Sequence, residues 1–429
     1  MGKIREFFSG ARLIMLLSYS LLIAIVGFFA FRNVSPGNAT TGQTRHYYIA
    51  ADVVQWDYAP SGKNLITGQP FDDAANVFVQ PGPNRVGRVY RKALYREYTD
   101  ATFTTLKPVP PEWQHLGTLG PAIHAEVGDT IIVDFKNNTP HPASIHPHGV
   151  FYHKNAEGAP YADGTGPADQ GDDAVPPGQT YTYTWDVPER AGPGPGDGSS
   201  VLWMYHSHTD EVGDSYSGLI GPMIITARGQ AKPDGSPKDV DREFVTMFLV
   251  SDENQSLYLQ DNIAEHVAAP NTVNEDDEEF HESNLMHSIN GYVYGNLPGL
   301  RMSVGQHVRW YVIGMGTEVD LHTPHWHGNT LLMNGGASMG MRTDMVELLP
   351  GSMKILDMVP DNPGTWLFHC HVNDHITAGM MATFTVDPAG GQPAASASGW
   401  GGTASAITTD TGSALYSFYC KVTGHKPTV

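Results

Sequence analysis

Five potential metal ligands lie close together near the end of the chain. The segment WLFHCHVNDHITAGM, residues 366–380, places Cys370 between His369 and His371 and continues to His375 and Met380. Thiolate, imidazole and thioether groups are soft ligands that suit copper. The segment therefore predicts a copper site.

Three other segments carry histidines at similar spacing: HPHG (His146, His148), HSH (His206, His208) and HTPHWHG (His322, His325, His327). In an extended strand, successive side chains point to opposite faces of the sheet. His369 and His371 therefore face away from Cys370. If the HTPHWHG segment is extended, His325 and His327 likewise face away from His322. Two separate metal sites follow.

The first predicted site combines the cysteine with histidines of the other face. Cys370, His322 and His375 form a His-His-Cys set, and Met380 is the weak axial ligand. That set is typical of a blue copper centre, which exchanges single electrons.

The second predicted site combines four histidine pairs, 146/148, 206/208, 325/327 and 369/371. Eight imidazoles suit a cluster of three coppers that holds and reduces dioxygen. Cys370 links the two sites covalently because its neighbours His369 and His371 bind the cluster, so these three residues are the predicted path for electrons.

Simpler interpretations exist for each element taken alone. A single HxH pair usually lies on the surface or in the core without binding metal. Four such pairs, together with Cys370 and Met380 in register, argue against that interpretation. Zinc fits poorly because a closed structural zinc site takes four ligands.

The composition indicates an all-β protein. The chain of 429 residues contains 47 Gly and 31 Pro, and its β-branched and aromatic segments are separated by turns. Segments 126–140, 175–192 and 203–208 resemble 303–317, 348–364 and 366–371 in the same order, which indicates one duplicated β-sandwich. In this repeat Ser207, Ala143 and Leu219 stand opposite Cys370, His322 and Met380, so only the second copy keeps a blue copper site.

The predicted boundaries follow from this repeat. Residues 45–228 form the first sandwich domain and residues 240–388 the second, with a turn-rich charged linker between them. Residues 389–429 are a Gly, Ala, Ser and Thr-rich tail that contains Cys420.

Charge and cysteine content exclude other classes of protein. Lys and Arg number 25 against 45 Asp and Glu, which gives a net charge of −20. Such a surface repels nucleic acid and concentrates cations, so no nucleic-acid partner is expected. Two cysteines are too few for a disulfide framework.

Residues 1–44 predict export. Lys3, Arg5 and Arg12 precede an apolar run at 13–31 that is just long enough to span a bilayer. We expect a signal-anchor with its basic flank in the cytoplasm, followed by a polar spacer. A cleaved signal peptide is the alternative, which would leave a periplasmic or secreted protein.

The four copper segments resemble those of the multicopper oxidases. Residues 45–388 are most similar to the ceruloplasmin and hephaestin branch. The segments that carry this resemblance are HYYIAADVVQWDY, YHSHTDEVGDSYSGLIGPMII, EDDEEFHESNLMHSINGYVYGNLPGL and GMGTEVDLHTPHWHG. The resemblance implies two tandem cupredoxin-like Greek-key domains and four-electron reduction of dioxygen to water.

The resemblance also assigns about four coppers per chain. Type-1 copper would take His322, Cys370, His375 and Met380. Type-2 copper would take His146 and His325. The type-3 pair would take His148, His206, His208, His327, His369 and His371.

The resemblance further implies an assembly. The family's six-domain members build the cluster between one domain pair and another, so this two-domain chain would build it as a homotrimer, as small two-domain laccases do. Pairing of the two halves within one chain remains open.

The branch implies ferrous iron as the electron donor. Glu282, His287, Glu318 and Asp374 match its iron ligands, and Glu318 would come from a neighbouring subunit. The alternative for these residues is a solvated acidic loop and a turn cap. A laccase-like oxidase of phenols is the main rival function, followed by a copper nitrite reductase and by a non-enzymatic binding protein of the same fold.

Overall fold

The computed structural model describes residues 42–333 and 340–390. The predicted membrane segment at 13–31, most of the predicted tail and Cys420 lie outside these residues. Within them, no helix is both long and apolar enough to cross a bilayer.

The first half of the chain folds into two four-stranded sheets. One has the order β2-β1-β4-β6 and the other β3-β8-β7-β5. The strands are β1 (Thr44–Asp57), β2 (Val89–Tyr98), β3 (Ile123–Glu126), β4 (Thr130–Asn137), β5 (His146–Pro147), β6 (Thr180–Asp186), β7 (Ser200–His206) and β8 (Ile220–Thr226).

The second half also forms two sheets, with the orders β10-β9-β12-β16-β14-β15 and β11-β18-β17-β13. Its strands are β9 (Arg242–Asp252), β10 (Leu285–Ile289), β11 (Arg301–Ser303), β12 (Val308–Gly314), β13 (Pro324–Trp326), β14 (Leu331–Met333), β15 (Arg342–Thr343), β16 (Ser352–Met358), β17 (Gly364–Cys370) and β18 (Met381–Asp387).

The two halves repeat one strand arrangement. In the first half, β1 runs parallel to β4, and β4 runs antiparallel to β6. The second half has the same order, with β9 parallel to β12 and β12 antiparallel to β16. In the other sheet of the first half, β3 runs parallel to β8, and β5 runs antiparallel to β7. In the matching sheet of the second half, β11 runs parallel to β18, and β13 runs antiparallel to β17. The predicted all-β fold with a duplicated sandwich is therefore confirmed.

Alternating side chains build each sandwich core. In β4, Ile131, Val133 and Phe135 are buried and the residues between them are half-buried, which is the pattern of a strand with one face on a core. Trp185 adds a fully buried indole from β6. Cys370 and Met380 lie in the corresponding core of the second sandwich.

Short helices connect the strands: α1 (Asp73–Val79), α2 (Glu211–Ser217), α3 (Leu259–His266), α4 (Glu278–Ser283) and α5 (Asn373–Thr377), with 3-10 turns at Pro111–Leu116, Lys154–Ala156, Pro167–Asp169, Glu189–Ala191, Glu253–Gln255 and Pro270–Thr272. Asp210 caps α2, and Gly218 ends it in the left-handed conformation at φ +116. α2 and α5 follow the two histidine-bearing strands β7 and β17.

An apolar layer joins the two sandwiches. Leu202 and Met204 of β7 and Ile224 of β8 pack with Val245 of β9 and Tyr311 of β12 in one buried cluster. Burial of this layer removes apolar surface of both halves from water, which favours a fixed contact between them.

Candidate copper centres

The cysteine and its neighbouring histidines lie at the end of β17, beside β13. Pro324 pairs with Cys370, and His325 pairs with His369, in antiparallel register. Cys370 is fully buried in the second sandwich, while His371 is exposed just beyond the strand. The alternation of a strand therefore directs the thiol and the flanking imidazoles to different sides.

Three soft donor atoms converge inside the second sandwich. Cys370 Sγ lies 3.5 Å from Nδ1 of His375 and 3.9 Å from Nδ1 of His322, and the two Nδ1 atoms are 3.2 Å apart. All three side chains are buried. The structure thus brings together the three residues that sequence spacing assigned to a blue copper site.

Met380 borders this group through its backbone. Its N–H donates to the carbonyl of His375 over 2.9 Å, and its carbonyl accepts from the N–H of Cys370 over 3.1 Å. α5 carries His375 and turns the chain back to β18, which leaves Met380 fully buried in the same core cluster as Cys370.

A carboxylate that the sequence analysis did not single out contacts this group. Nε2 of His322 lies 3.1 Å from Oδ1 of Asp320, and both residues are buried. The D-x-H spacing in TEVDLH was the available signal, but its meaning depends on the local turn.

Four histidines of the second sandwich form one cluster of imidazoles, which we call the second-domain quartet: His325, His327, His369 and His371. His369 Nε2 lies 3.0 Å from Nε2 of His327 and 3.3 Å from Nδ1 of His325. The ring of His371 lies 5.5 Å from those of His325 and His369. Three of these nitrogens are close enough to share a metal ion.

The first sandwich presents the matching first-domain quartet: His146, His148, His206 and His208. His146 pairs with His206 across β5 and β7, and Nε2 of His148 lies 3.1 Å from Nε2 of His206. The His208 ring lies 5.3 Å from that of His146. His146 Nδ1 is also 2.7 Å from the carbonyl oxygen of Glu157, an acceptor for its N–H.

Burial favours the neutral form of several of these imidazoles. Desolvation, with a smaller contribution from neighbouring imidazoles, lowers the pKa of His148 and of His206 to about 4. It also lowers the pKa of His327 and of His369. Neutral imidazole is the form that binds metal.

The buried thiol has the opposite shift. Desolvation raises the pKa of Cys370, although the backbone N–H of Thr323 donates to Sγ over 3.4 Å. Because only the thiolate binds a metal, copper binding here would release a proton.

The two quartets are separate in the chain. Within residues 42–333 and 340–390, hydrogen bonds and ring contacts join imidazoles of the same quartet, and none joins one quartet to the other. Met345, which bridges to His325 of the second-domain quartet, is an exposed apolar residue. Phe151 and Val212 in the first sandwich and Leu321 in the second are also exposed, and each lies within a few residues of a quartet histidine in the sequence.

The four predicted iron ligands are only partly brought together. The rings of His287 and His375 lie 5.2 Å apart. Burial, assisted by His375, lowers the pKa of His287 to about 4. Burial raises the pKa of Glu282, and the negative charge of Asp374 raises it further. In the part of the chain that the structure describes, no contact joins the exposed Glu318 to Glu282, His287 or Asp374.

The first sandwich has a different set of groups where the second has the cysteine site. Ser207 N–H donates to Leu219 as Cys370 does to Met380, and the Ala143–Val175 bridge repeats that of His322 with Leu348. Ser207 Oγ donates to Asp214 over 2.5 Å and accepts from the N–H of Ser144 over 3.0 Å. Hydrogen bonds therefore satisfy the groups at this position.

The donor sets fit copper. A His-His-Cys triad with a nearby buried methionine is a blue copper ligand set, while zinc in a closed site takes four strong ligands. The histidine-only quartets suit copper as well, since imidazole is a preferred ligand for it. When bound, copper would accept single electrons at the cysteine site and deliver them to dioxygen at the histidine cluster.

Comparison with known proteins agrees with this chemistry. Two multicopper oxidase family models match residues 116–230 and 263–390, together more than half of the chain. The human ferroxidase HEPHL1 is 47% identical over 347 residues, which cover 80% of this chain and 29% of that protein. Human hephaestin is 44% identical over 84% of this chain and 31% of its own length, and human ceruloplasmin is 44% identical over 83% and 34%.

The chain thus spans about a third of the length of the curated relatives it matches. Among solved structures, the copper nitrite reductase from Nitrosomonas europaea aligns with a TM-score of 0.50 and 16% identity over 80% of this chain and 94% of that one. That likeness concerns the fold alone. With its family matches, its relatives and its copper-type donor sets, the chain belongs to the multicopper oxidase family, in the branch of ceruloplasmin and hephaestin.

Proposed function

We propose that this chain is a copper-dependent ferroxidase. Four ferrous ions would each give up one electron, and one dioxygen with four protons would become two waters. Cys370, His322, His375 and Met380 would hold type-1 copper. The type-2 ion would take His146 and His325, and the type-3 pair His148, His206, His208, His327, His369 and His371.

The observation that carries the choice of iron is the position of His287. Its ring lies 5.2 Å from that of His375, a ligand of the proposed type-1 site. His287 Nδ1 is 3.0 Å from the carbonyl oxygen of Leu285, to which it would donate, and this leaves Nε2 as a ligand atom. A cation held there would stand next to the group that accepts its electron.

The carboxylates of Glu282 and Asp374 complete the chemistry of this site. The charge of Asp374 raises the pKa of Glu282, which indicates that the two carboxylates are neighbours, and Asp374 is covalently joined to His375. Hard oxygen ligands bind ferric ion more strongly than ferrous ion, so they favour loss of the electron. The net charge of −20 would attract ferrous ions to this site.

We further infer that copies of the chain complete the histidine cluster between them, as a homotrimer. The imidazoles of each quartet contact one another and not those of the other quartet, and exposed apolar residues lie near both in sequence, Phe151 and Val212 in the first sandwich and Leu321 and Met345 in the second. A head-to-tail contact would join the first-domain quartet of one copy to the second-domain quartet of the next, and a closed ring satisfies every copy. Glu318 would then reach the iron site of a neighbour.

We also propose that the chain is exported and works outside the cytoplasm. The basic flank and apolar run at 1–31 support this, since such a segment directs the following residues across a membrane. If uncleaved, the segment would also anchor the enzyme to that membrane.

Oxygen uptake with two donors tests the iron assignment. Glu282→Gln combined with Asp374→Asn should lower kcat/KM for ferrous iron about 100-fold or more, because each lost contact to the charged ion contributes about 1.5–3 kcal/mol. Turnover of a substituted phenol should change little. Glu275→Gln with Asp276→Asn is the matched control, since it removes the same charge from the neighbouring acidic segment.

Two results would contradict the proposal. Undiminished iron turnover in the Glu282/Asp374 variant would show that the iron site lies elsewhere. Faster turnover of phenol than of ferrous iron by the unmodified enzyme would favour the laccase-like alternative.

A further inference from the structure

Asp320 is a fully buried carboxylate two residues before His322, in a half of the chain whose acidic residues are mostly exposed. An ionised carboxylate in such a place needs several hydrogen-bond donors to replace water. The identity of those donors indicates what the residue does.

Three donors converge on this carboxylate. Oδ1 lies 3.1 Å from Nε2 of His322 and accepts the backbone N–H of Val250 over 2.7 Å. Oδ2 accepts the backbone N–H of Thr317 over 2.8 Å. An aspartate accepts all three hydrogen bonds, whereas an asparagine offers one oxygen and would turn an NH₂ group toward one of the donors.

The local turn holds the carboxylate in place independently of the histidine. Asp320 N–H donates back to the carbonyl of Thr317 over 3.0 Å. Gly316 has φ +113, and a Cβ at that position would lie 2.0 Å from Oδ2 of Asp320. The glycine therefore allows the carboxylate to occupy the turn, and strand β9 supplies the Val250 donor from the other side.

We propose that Asp320 is the positioning residue of the type-1 copper site, fixing the tautomer of His322 and lowering the reduction potential of the copper it holds. Because Nε2–H donates to Asp320, the lone pair of Nδ1 is directed toward Cys370 and His375. A carboxylate on the far nitrogen strengthens imidazole as a donor and favours the more highly charged metal ion. This inference rests on the type-1 site of the proposed function.

The same contact makes the two ligand histidines unequal. Asp320 occupies Nε2 of buried His322 and closes that side to an electron donor. His375 instead contacts the ring of His287, and the residue directly before it, Asp374, is exposed. Electrons from a donor therefore enter through His375.

Potentiometric titration of the blue absorption band tests the proposal on the copper-loaded full chain. Asp320→Asn should weaken the preference for Cu(II) over Cu(I) about 10- to 100-fold, the range by which loss of such an outer contact usually changes metal affinity. At 59 mV per tenfold for one electron, this is a rise of about 60–120 mV. Gly316→Ala, which displaces the carboxylate, should shift the potential in the same direction.

Asp129→Asn is the matched control. Asp129 is also buried and accepts two backbone N–H groups, from Gln43 and Glu126, but it pairs with Arg45 in the first sandwich. Its replacement should reduce stability and leave the potential at the wild-type value.

The outcomes separate this inference from the copper site itself. A blue Asp320→Asn protein with the wild-type potential would overturn the role of Asp320 while leaving the type-1 site in place. A copper-loaded wild type without a blue band would overturn both. If only part of the variant binds copper, the potential of that blue fraction decides in the same way.

Discussion

The Nδ1 atom of His369 lies 2.7 Å from the carbonyl oxygen of Cys370 and donates a hydrogen bond to it. This contact fixes the tautomer of His369, so its Nε2 faces His325 and His327. His206 repeats the contact with the carbonyl of Ser207 over 3.0 Å. The residue between two cluster histidines therefore orients one of them, whether or not it has a thiol.

Replacement of the thiol tests the predicted path of electrons. Cys370→Ser keeps the backbone contact to His369 but removes the soft ligand of the proposed type-1 site and its proposed link to the histidine cluster. We expect one copper fewer per chain, no blue band, and oxygen uptake reduced to the background rate. Metal analysis and visible absorption measure the first two effects, and an oxygen electrode the third.

Ser207→Ala in the first sandwich is the control for this variant. Ser207 stands at the corresponding position but contacts Asp214 rather than a copper ligand set. We expect a loss of about 1–3 kcal/mol of stability from the unpaired buried groups, with the blue band unchanged. A blue Cys370→Ser protein would refute the assignment of the type-1 site.

Mixing of two inactive variants tests where the histidine cluster forms. One variant carries His148→Ala and His206→Ala, and the other carries His327→Ala and His369→Ala. In a head-to-tail ring, random mixing lets about a quarter of the interfaces combine two intact quartets. The mixture should then recover about that fraction of wild-type oxygen uptake.

A cluster built within one chain predicts a different result. Both variants would remain inactive after dissociation and remixing, because every chain would contain one damaged quartet. Analytical ultracentrifugation of the same samples shows whether mixed oligomers have formed, and light scattering of the wild type gives its size.

The buried His115 predicts a pH dependence of stability. Burial, assisted by Arg242, lowers the pKa of His115 from 6.5 to about 3, and its Nε2 accepts the N–H of Val245 in the layer between the sandwiches. Between pH 6.5 and 3 the unfolded chain binds one more proton at this residue than the folded chain. Stability therefore falls with falling pH by up to about 1.4 kcal/mol per unit.

His115→Gln removes this proton while keeping a possible acceptor for Val245. Urea unfolding at pH 7, 6, 5 and 4 gives the free energy of unfolding as a function of pH. Its slope should be smaller for the variant, by an amount that corresponds to at most one bound proton. Equal slopes for variant and wild type would show that His115 is protonated in the folded chain. Comparison at each pH cancels the contributions of the other histidines.

A buried ion pair between the sandwiches gives a fourth prediction. Lys92 of β2 and Glu253 after β9 are almost inaccessible to solvent and form a salt bridge. Lys92→Met should cost about 3–5 kcal/mol, because it leaves a buried charge without its partner. Adding Glu253→Leu should recover part of that loss. Chemical unfolding in a double-mutant cycle measures both effects.

An exposed pair provides the comparison. Lys107 and Glu97 form a salt bridge in which the lysine is 53% exposed. Lys107→Met should cost about 0–1 kcal/mol. If the two lysine variants lost similar stability, the importance of burial at Lys92 would be refuted.

Short-range pattern accounts for what could be predicted from the sequence. The alternation of side chains in a strand separates Cys370 from His369, and the structure places the thiol with His322 and His375 as that parity requires. The duplication was also visible, because equivalent strands keep their order and their turns. Both features depend on neighbours within a few residues or on repeated segments.

The remaining features depend on distant contacts or on local geometry. The proposed role of Asp320 depends on the turn at Gly316 and on Val250, which is remote in sequence. Lys92 and Glu253 are 161 residues apart and appear in the sequence as ordinary charged residues. The separation of the two quartets is likewise a matter of domain packing, which no motif encodes.

The aspartate beside Ser207 limits how the first sandwich could be altered. Burial raises the pKa of Asp214 to about 6, and its carboxylate accepts from both Ser207 and the backbone of Asp210. A cysteine introduced at position 207 would face that carboxylate instead of two imidazoles. Building a cysteine-based copper site into the first sandwich therefore requires removal of Asp214 before any thiol is introduced.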